Sequence, residues 1–150
     1  MTGTKRVWKE TFILALAGGL AFWLANFAIS RTALAANYRV ALSISYYPML
    51  LEALIGGLII GLGVGYLLLR FYDRIPIKEP MLKSVILTML VLVIITILIG
   101  NPSVYYKTGD VLRYFIIGTI FNLFRITALG IAIGYVCKRW YNKGGERVRG

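Results

Sequence analysis

Residues 82–100 read LKSVILTMLVLVIITILIG, a stretch in which Lys83 is the only charge and everything from Ser84 onward is uncharged. As a helix rising 1.5 Å per residue, such a stretch is about 29 Å long, close to the ~30 Å of a bilayer's hydrocarbon layer. Its bulk of Leu, Ile and Val goes all the way round the helix instead of forming one stripe. That suits contact with lipid rather than with water.

Three further blocks share this character: about Trp8 to Ser30, Tyr46 to Leu69, and Tyr114 to Cys137. Together with Leu82–Gly100 they predict an all-α membrane protein, a four-transmembrane-helix bundle forming a single integral membrane domain over 1–150. Composition agrees: 59% of residues are apolar and 15% charged, against roughly half and a quarter in soluble domains. The first block could be taken for a signal peptide, with Lys5, Arg6 and Lys9 in front and Ala33-Leu34-Ala35 as the cleavage site. It is longer than a usual h-region and carries Asn26, so it reads as an uncleaved helix.

The net charge of +11 is a topology signal rather than a nucleic-acid footprint. The basic residues cluster at block ends and are not interleaved with aromatics in any recognition motif, so no nucleic acid is expected. Lys5, Arg6 and Lys9 precede the first block, Arg70, Arg74, Lys78 and Lys83 lie around the second connection, and Lys138, Arg139, Lys143, Arg147 and Arg149 follow the last block. These twelve face Arg31, Arg39, Lys107 and Arg113 on the other side, with Arg125 inside the fourth block. The positive-inside rule then predicts cytoplasmic N and C termini, as an even number of spans requires, in a multi-pass protein of the cell membrane. Trp8, Tyr46, Tyr47, Phe71, Tyr72, Tyr105, Tyr106, Tyr114, Trp140 and Tyr141 sit at the block ends, where aromatic rings anchor to the interface.

The connections are short and predict antiparallel neighbours. Pro76 and Pro80 bracket the cytoplasmic turn. In the first connection Leu34, Tyr38 and Leu42 fall four apart, the pattern of a helix lying in the interface. Gly109-Asp110 offers a turn followed by an N-cap, and the basic, Gly-rich segment 142–150 reads as a mobile tail.

Small residues mark where helices in lipid can approach. Ala53, Gly57, Gly61 and Gly65 recur every four positions in the second block. The fourth block has Gly130 and Gly134, and the first has Ala15-x-x-x-Gly19 and Ala17-x-x-x-Ala21. The third has only Ser84, Thr88 and Thr96 as small polar positions. The expectation is a core of the first, second and fourth helices, with the third peripheral in lipid.

Intramembrane polar residues carry more information, because an ionised group at mid-membrane costs at least ~2.5–3.5 kcal/mol. Glu52 lies about six residues, or ~9 Å, from the outer start of its helix, and Arg125 about eleven, or ~17 Å. Both side chains lean back toward their helix N-termini, so the longer Arg125 reaches toward the level of Glu52. With Asn26 and Asn122 they form a polar cluster in the outer half, read as a Glu52–Arg125 pair that fixes helix register; an anion site or proton path is the alternative.

The chain has no histidine and a single cysteine, Cys137. No metal-ligand spacing, paired carboxylates, catalytic triad or phosphate loop is present, so neither enzyme activity, metal nor cofactor is expected. Two functions follow from what remains. One is a non-catalytic structural or accessory subunit, held by the lipid bilayer and docking on a second copy or on another membrane protein. The other is an oligomeric channel or carrier using Glu52, Asn122 and Arg125.

Overall fold

The computed structural model describes residues 2–99, 101 and 103–149, with side chains described over 3–98, 101 and 103–143. The described residues fold as helices: α1 (Thr2–Ser30), α2 (Ala33–Ala41), α3 (Tyr46–Phe71), α4 (Pro80–Ile99), α5 (Ser103–Tyr106) and α6 (Val111–Arg149), with one 3-10 turn over Tyr72–Arg74. Among them, α1, α3, α4 and α6 are long and apolar enough to cross a membrane. The chain is therefore an all-helical bundle with four helices capable of spanning. Leu16, Leu20, Ile59, Leu90, Ile97 and Phe124 point outward from it and supply a lipid-facing coat.

Local signals set the helix ends. Thr32 caps α2, its hydroxyl accepting from the Ala35 amide at 3.2 Å; of the residues spaced four apart, Leu34 and Tyr38 lie in that short helix and Leu42 is its C-cap. Gly109 takes a left-handed φ of 71°, which a glycine adopts at no steric cost. The Asp110 carboxylate then accepts from the Arg113 amide at 3.4 Å, at the start of α6. Pro80 opens α4, where its missing N–H costs nothing. No proline interrupts the segment after Asn142, and α6 carries the backbone helix on to Arg149 through the stretch that the sequence reads as a mobile tail. Gly100, the expected end of the third block, and Gly150, the end of that tail, lie outside the described residues.

The packing order corrects the expectation of a core made from the first, second and fourth spans. Helix α1 runs along both α3 and α6, α4 runs along α6, and α3 and α6 scarcely meet. The bundle is thus a folded row, α3–α1–α6–α4, which α3 and α4 close more lightly. Helix α4 is not peripheral, since Ser84 and Thr88 are fully buried.

The glycine stripes explain this order. On α3, Gly61 meets the backbone of Ala15, Gly57 meets Phe22 and the Gly19 carbonyl, and Gly65 meets Leu14, so the whole stripe is occupied by antiparallel α1. Ala53 is buried on the same helix. The neighbouring Gly18 of α1 turns to α6 instead and lies against Leu129 and Ile133. Two adjacent glycines, about 100° apart on the helix, thereby serve two partners. Gly130 and Gly134 of α6 face the backbones of Val85 and Met81 on α4, beside Thr88 and Ser84. The small polar positions of α4 are the complement of these glycines, because a small residue on either side lets two backbones approach.

Leu14, Val64, Leu68, Ile126, Leu129, Ile133 and Cys137 fill the middle of the bundle. Beyond them, toward the end that carries both termini, Lys83 is only 7% exposed. Its ammonium donates to the Tyr72 carbonyl at 2.7 Å and lies 4.0 Å from the Tyr72 ring centre. Tyr72 in turn stacks on Tyr141 at 4.2 Å. The cation thus satisfies a carbonyl at the C-terminal end of α3, where positive charge is favoured.

Candidate functional site

At the end of the bundle opposite the termini, α1, α2, α3 and α6 enclose a cavity of about 250 Å³. Asn26, Glu52, Asn122 and Arg125, the four polar residues singled out in the sequence, all line it. Asn26 and Ser30 come from α1, Glu52 from α3, and Asn122 and Arg125 from α6, with Gly118 and Phe121 one turn nearer the α6 N-terminus. Helix α2 adds Tyr38 and Arg39 as a roof. Glu52 on α3 and Asn122 on α6 are exposed, so the cavity has an open edge where these two residues stand.

The expected Glu52–Arg125 pair does not form. The described residues make two ion pairs, Arg6–Glu10 at 2.8 Å and Lys138–Glu79 at 3.5 Å, and neither involves the cluster. Glu52 stands on α3 and Arg125 on α6, two helices that meet only slightly because each packs mainly on α1 or α4. Arg125 instead donates through Nη1 to the Asn122 Oδ1 at a long 3.4 Å, while its buried Nε has no partner. Asn26 is 0% exposed, and neither atom of its amide is hydrogen-bonded. Buried polar atoms without partners are uncommon, and each costs about 1–3 kcal/mol.

The roof is better satisfied. Arg39 donates to the Ser30 carbonyl at 3.1 Å and lies over the Tyr46 ring at 5.0 Å. Ser30 donates to the Phe27 carbonyl at 2.6 Å. Tyr38 meets Phe121 edge to face at 5.5 Å, and its hydroxyl converges with that of Tyr105 over Gly118, where a Cβ would stand 2.5 Å from the Tyr38 oxygen. Burial, then the neighbouring Tyr105 hydroxyl, raises the Tyr38 phenol above its ordinary pKa. It is a neutral hydrogen-bonding group at any physiological pH.

Ser30, Tyr38 and Arg39 were not picked out as site residues in the sequence. For Tyr38 and Arg39 the signal is the interfacial helix, which places residues of the connection over the bundle end; Ser30, at the end of α1, carries no such signal. The helix-packing residues Ala53, Gly57, Gly61, Gly65, Gly130 and Gly134 take no part in the cavity. Among the described residues no group of His, Cys, Asp and Glu is arranged to hold a metal. Compared with protein families, curated proteins and solved structures, the chain matches none.

Proposed function

We propose that this chain is a small, non-catalytic multi-pass protein of the cell membrane, with both termini cytoplasmic, that holds a polar molecule in the cavity under α2. Such a protein serves as an accessory subunit, acting on a second copy of itself or on another membrane protein. The observation that carries the binding reading is that the fully buried, unpartnered amide of Asn26 and the unpartnered Nε of Arg125 belong to residues lining one cavity. A bundle that needed these groups only to fix helix register would pair them with each other. Orientation rests on the twelve basic residues at the terminal end against four at the other, which puts the cavity in the outer half of the membrane.

The glycine stripes do not support docking through those faces, since α1 and α4 already cover them. A partner must use other surface. A channel or carrier built from several copies is the second reading, favoured by the same polar cavity. It must open a path past Leu14, Val64, Leu129 and Ile133, which are fully buried beyond the cavity.

The binding reading is tested by thiol accessibility in a Cys137→Ala background. Ser30→Cys and Asn122→Cys are expected to react with a membrane-impermeant thiol reagent applied outside intact cells, while Leu129→Cys stays inert. Labelling of neither lining position before denaturation sinks the reading. Flux into liposomes, altered by Glu52→Gln and Arg125→Gln, would favour the carrier instead. Native mass spectrometry after gentle extraction reads the partner directly.

A further inference from the structure

The cavity carries opposite charges that are kept apart. Arg125 and Glu52 both line it, yet neither belongs to an ion pair. The other cation, Arg39, is already engaged with the Ser30 carbonyl and the Tyr46 ring. Arg125, whose one hydrogen bond is the long 3.4 Å contact to Asn122, and Glu52 therefore line a space of about 250 Å³ without a charged partner. A simple anion seated at Arg125 would be repelled by Glu52, and a simple cation at Glu52 by Arg125; a molecule carrying both charges is attracted at each end.

Resting on the reading of this cavity as a binding site, we propose that its ligand is a zwitterion with a primary ammonium and a phosphate or carboxylate. The guanidinium of Arg125 takes the anionic end, because its fork of N–H donors matches phosphate and carboxylate oxygens. The Asn26 amide lines the same cavity with a free donor and a free acceptor. Glu52, acceptor-only when ionised, receives the ammonium N–H groups at the mouth. The volume is below the ~300–1,000 Å³ of drug-sized sites, which suits a lipid headgroup or a small free zwitterion.

Both sources share this chemistry and differ in route. A phosphoethanolamine headgroup would come from the lipid side at the exposed edge of Glu52 and Asn122, and a free zwitterion from the water beyond α2. The test uses the full chain in nanodiscs of phosphatidylcholine containing either phosphatidylethanolamine or phosphatidylglycerol, with retained lipid read by native mass spectrometry. In parallel, detergent-solubilised protein is heated with O-phosphoethanolamine or with phosphocholine, whose quaternary ammonium has no N–H.

The proposal expects phosphatidylethanolamine, or O-phosphoethanolamine in the soluble arm, to be preferred by about tenfold or more over its counterpart lacking the ammonium N–H or the second charge. The preference falls to near unity in Glu52→Gln, a surface change, and weakens in Arg125→Lys, which keeps the charge but loses the fork. Retention of the lipid without a soluble effect assigns the headgroup; the converse assigns a free solute. Preference for phosphatidylglycerol that survives Glu52→Gln overturns the zwitterion and leaves the cavity an anion site. Retention of no probe also overturns it, and Ser30→Cys labelling then decides separately whether the binding reading falls too.

Discussion

Gly134→Ala is the most direct probe of the α4–α6 contact. A Cβ there would stand 2.6 Å from the Cα of Met81, 3.2 Å from its carbonyl oxygen and 3.2 Å from the Ser84 Cβ. Carbon atoms settle at about 3.5–4.0 Å, so the two helices must part locally by roughly 1 Å. The nearest atoms are backbone, so no rotamer change relieves the contact. Overpacking of this kind costs about 1–3 kcal/mol. Gly63→Ala on α3 is the matched control, because no atom lies within 4 Å of its Cβ, and it is expected to stay within about 0.5 kcal/mol of the parent. Unfolding in mixed micelles of rising sodium dodecyl sulfate, followed by circular dichroism, reports both. Gly134→Ala should unfold at a clearly lower detergent fraction than Gly63→Ala. If the two unfold together, α6 does not ride on the α4 backbone and the packing order given above is wrong.

Lys83→Met removes the donor to the Tyr72 carbonyl and the cation over its ring; a loss of about 1.5–3 kcal/mol is expected in the same unfolding assay. Tyr38 should titrate late. Its raised folded pKa means that its stabilising contribution is complete below the unfolded value near 10 and disappears as pH climbs through the folded value. Phenolate absorbance of native protein, compared with Tyr38→Phe, should therefore show no ionisation from this residue around pH 10. Cys137, fully buried, should react with maleimide only at the rate of global unfolding; rapid modification of native protein contradicts the closed core.

The spans, the α2 helix and the Gly109-Asp110 start of α6 were legible because each rests on local chemistry: apolar length, four-residue spacing, a cap. The convergence of Asn26, Glu52, Asn122 and Arg125 was legible because depth along a helix can be counted. Lateral order was not. Gly130 and Gly134 announced a close neighbour without saying which, and Ser84 and Thr88 looked too sparse on α4 to be its complement. The Glu52–Arg125 pairing fails for the same reason, since depth along two helices says nothing about how closely those helices pack. Tyr38 belongs to the interfacial pattern and Arg39 to the outer charges, and only the fold over the bundle end brings both to the cavity.

The row α3–α1–α6–α4 also sets a timetable. Chains are made from the N-terminus at about 5–20 residues per second, so α1 and α3 emerge as sequence neighbours and can pair at once through Ala15, Gly19, Gly57 and Gly61. Helix α4 comes next but finds its main partner only in α6. Until residue 134 has been translated and inserted, Ser84 and Thr88 face lipid with nothing to cover them. A nascent chain halted before α6 is therefore a paired hairpin trailing one orphan helix, the form most exposed to membrane quality control.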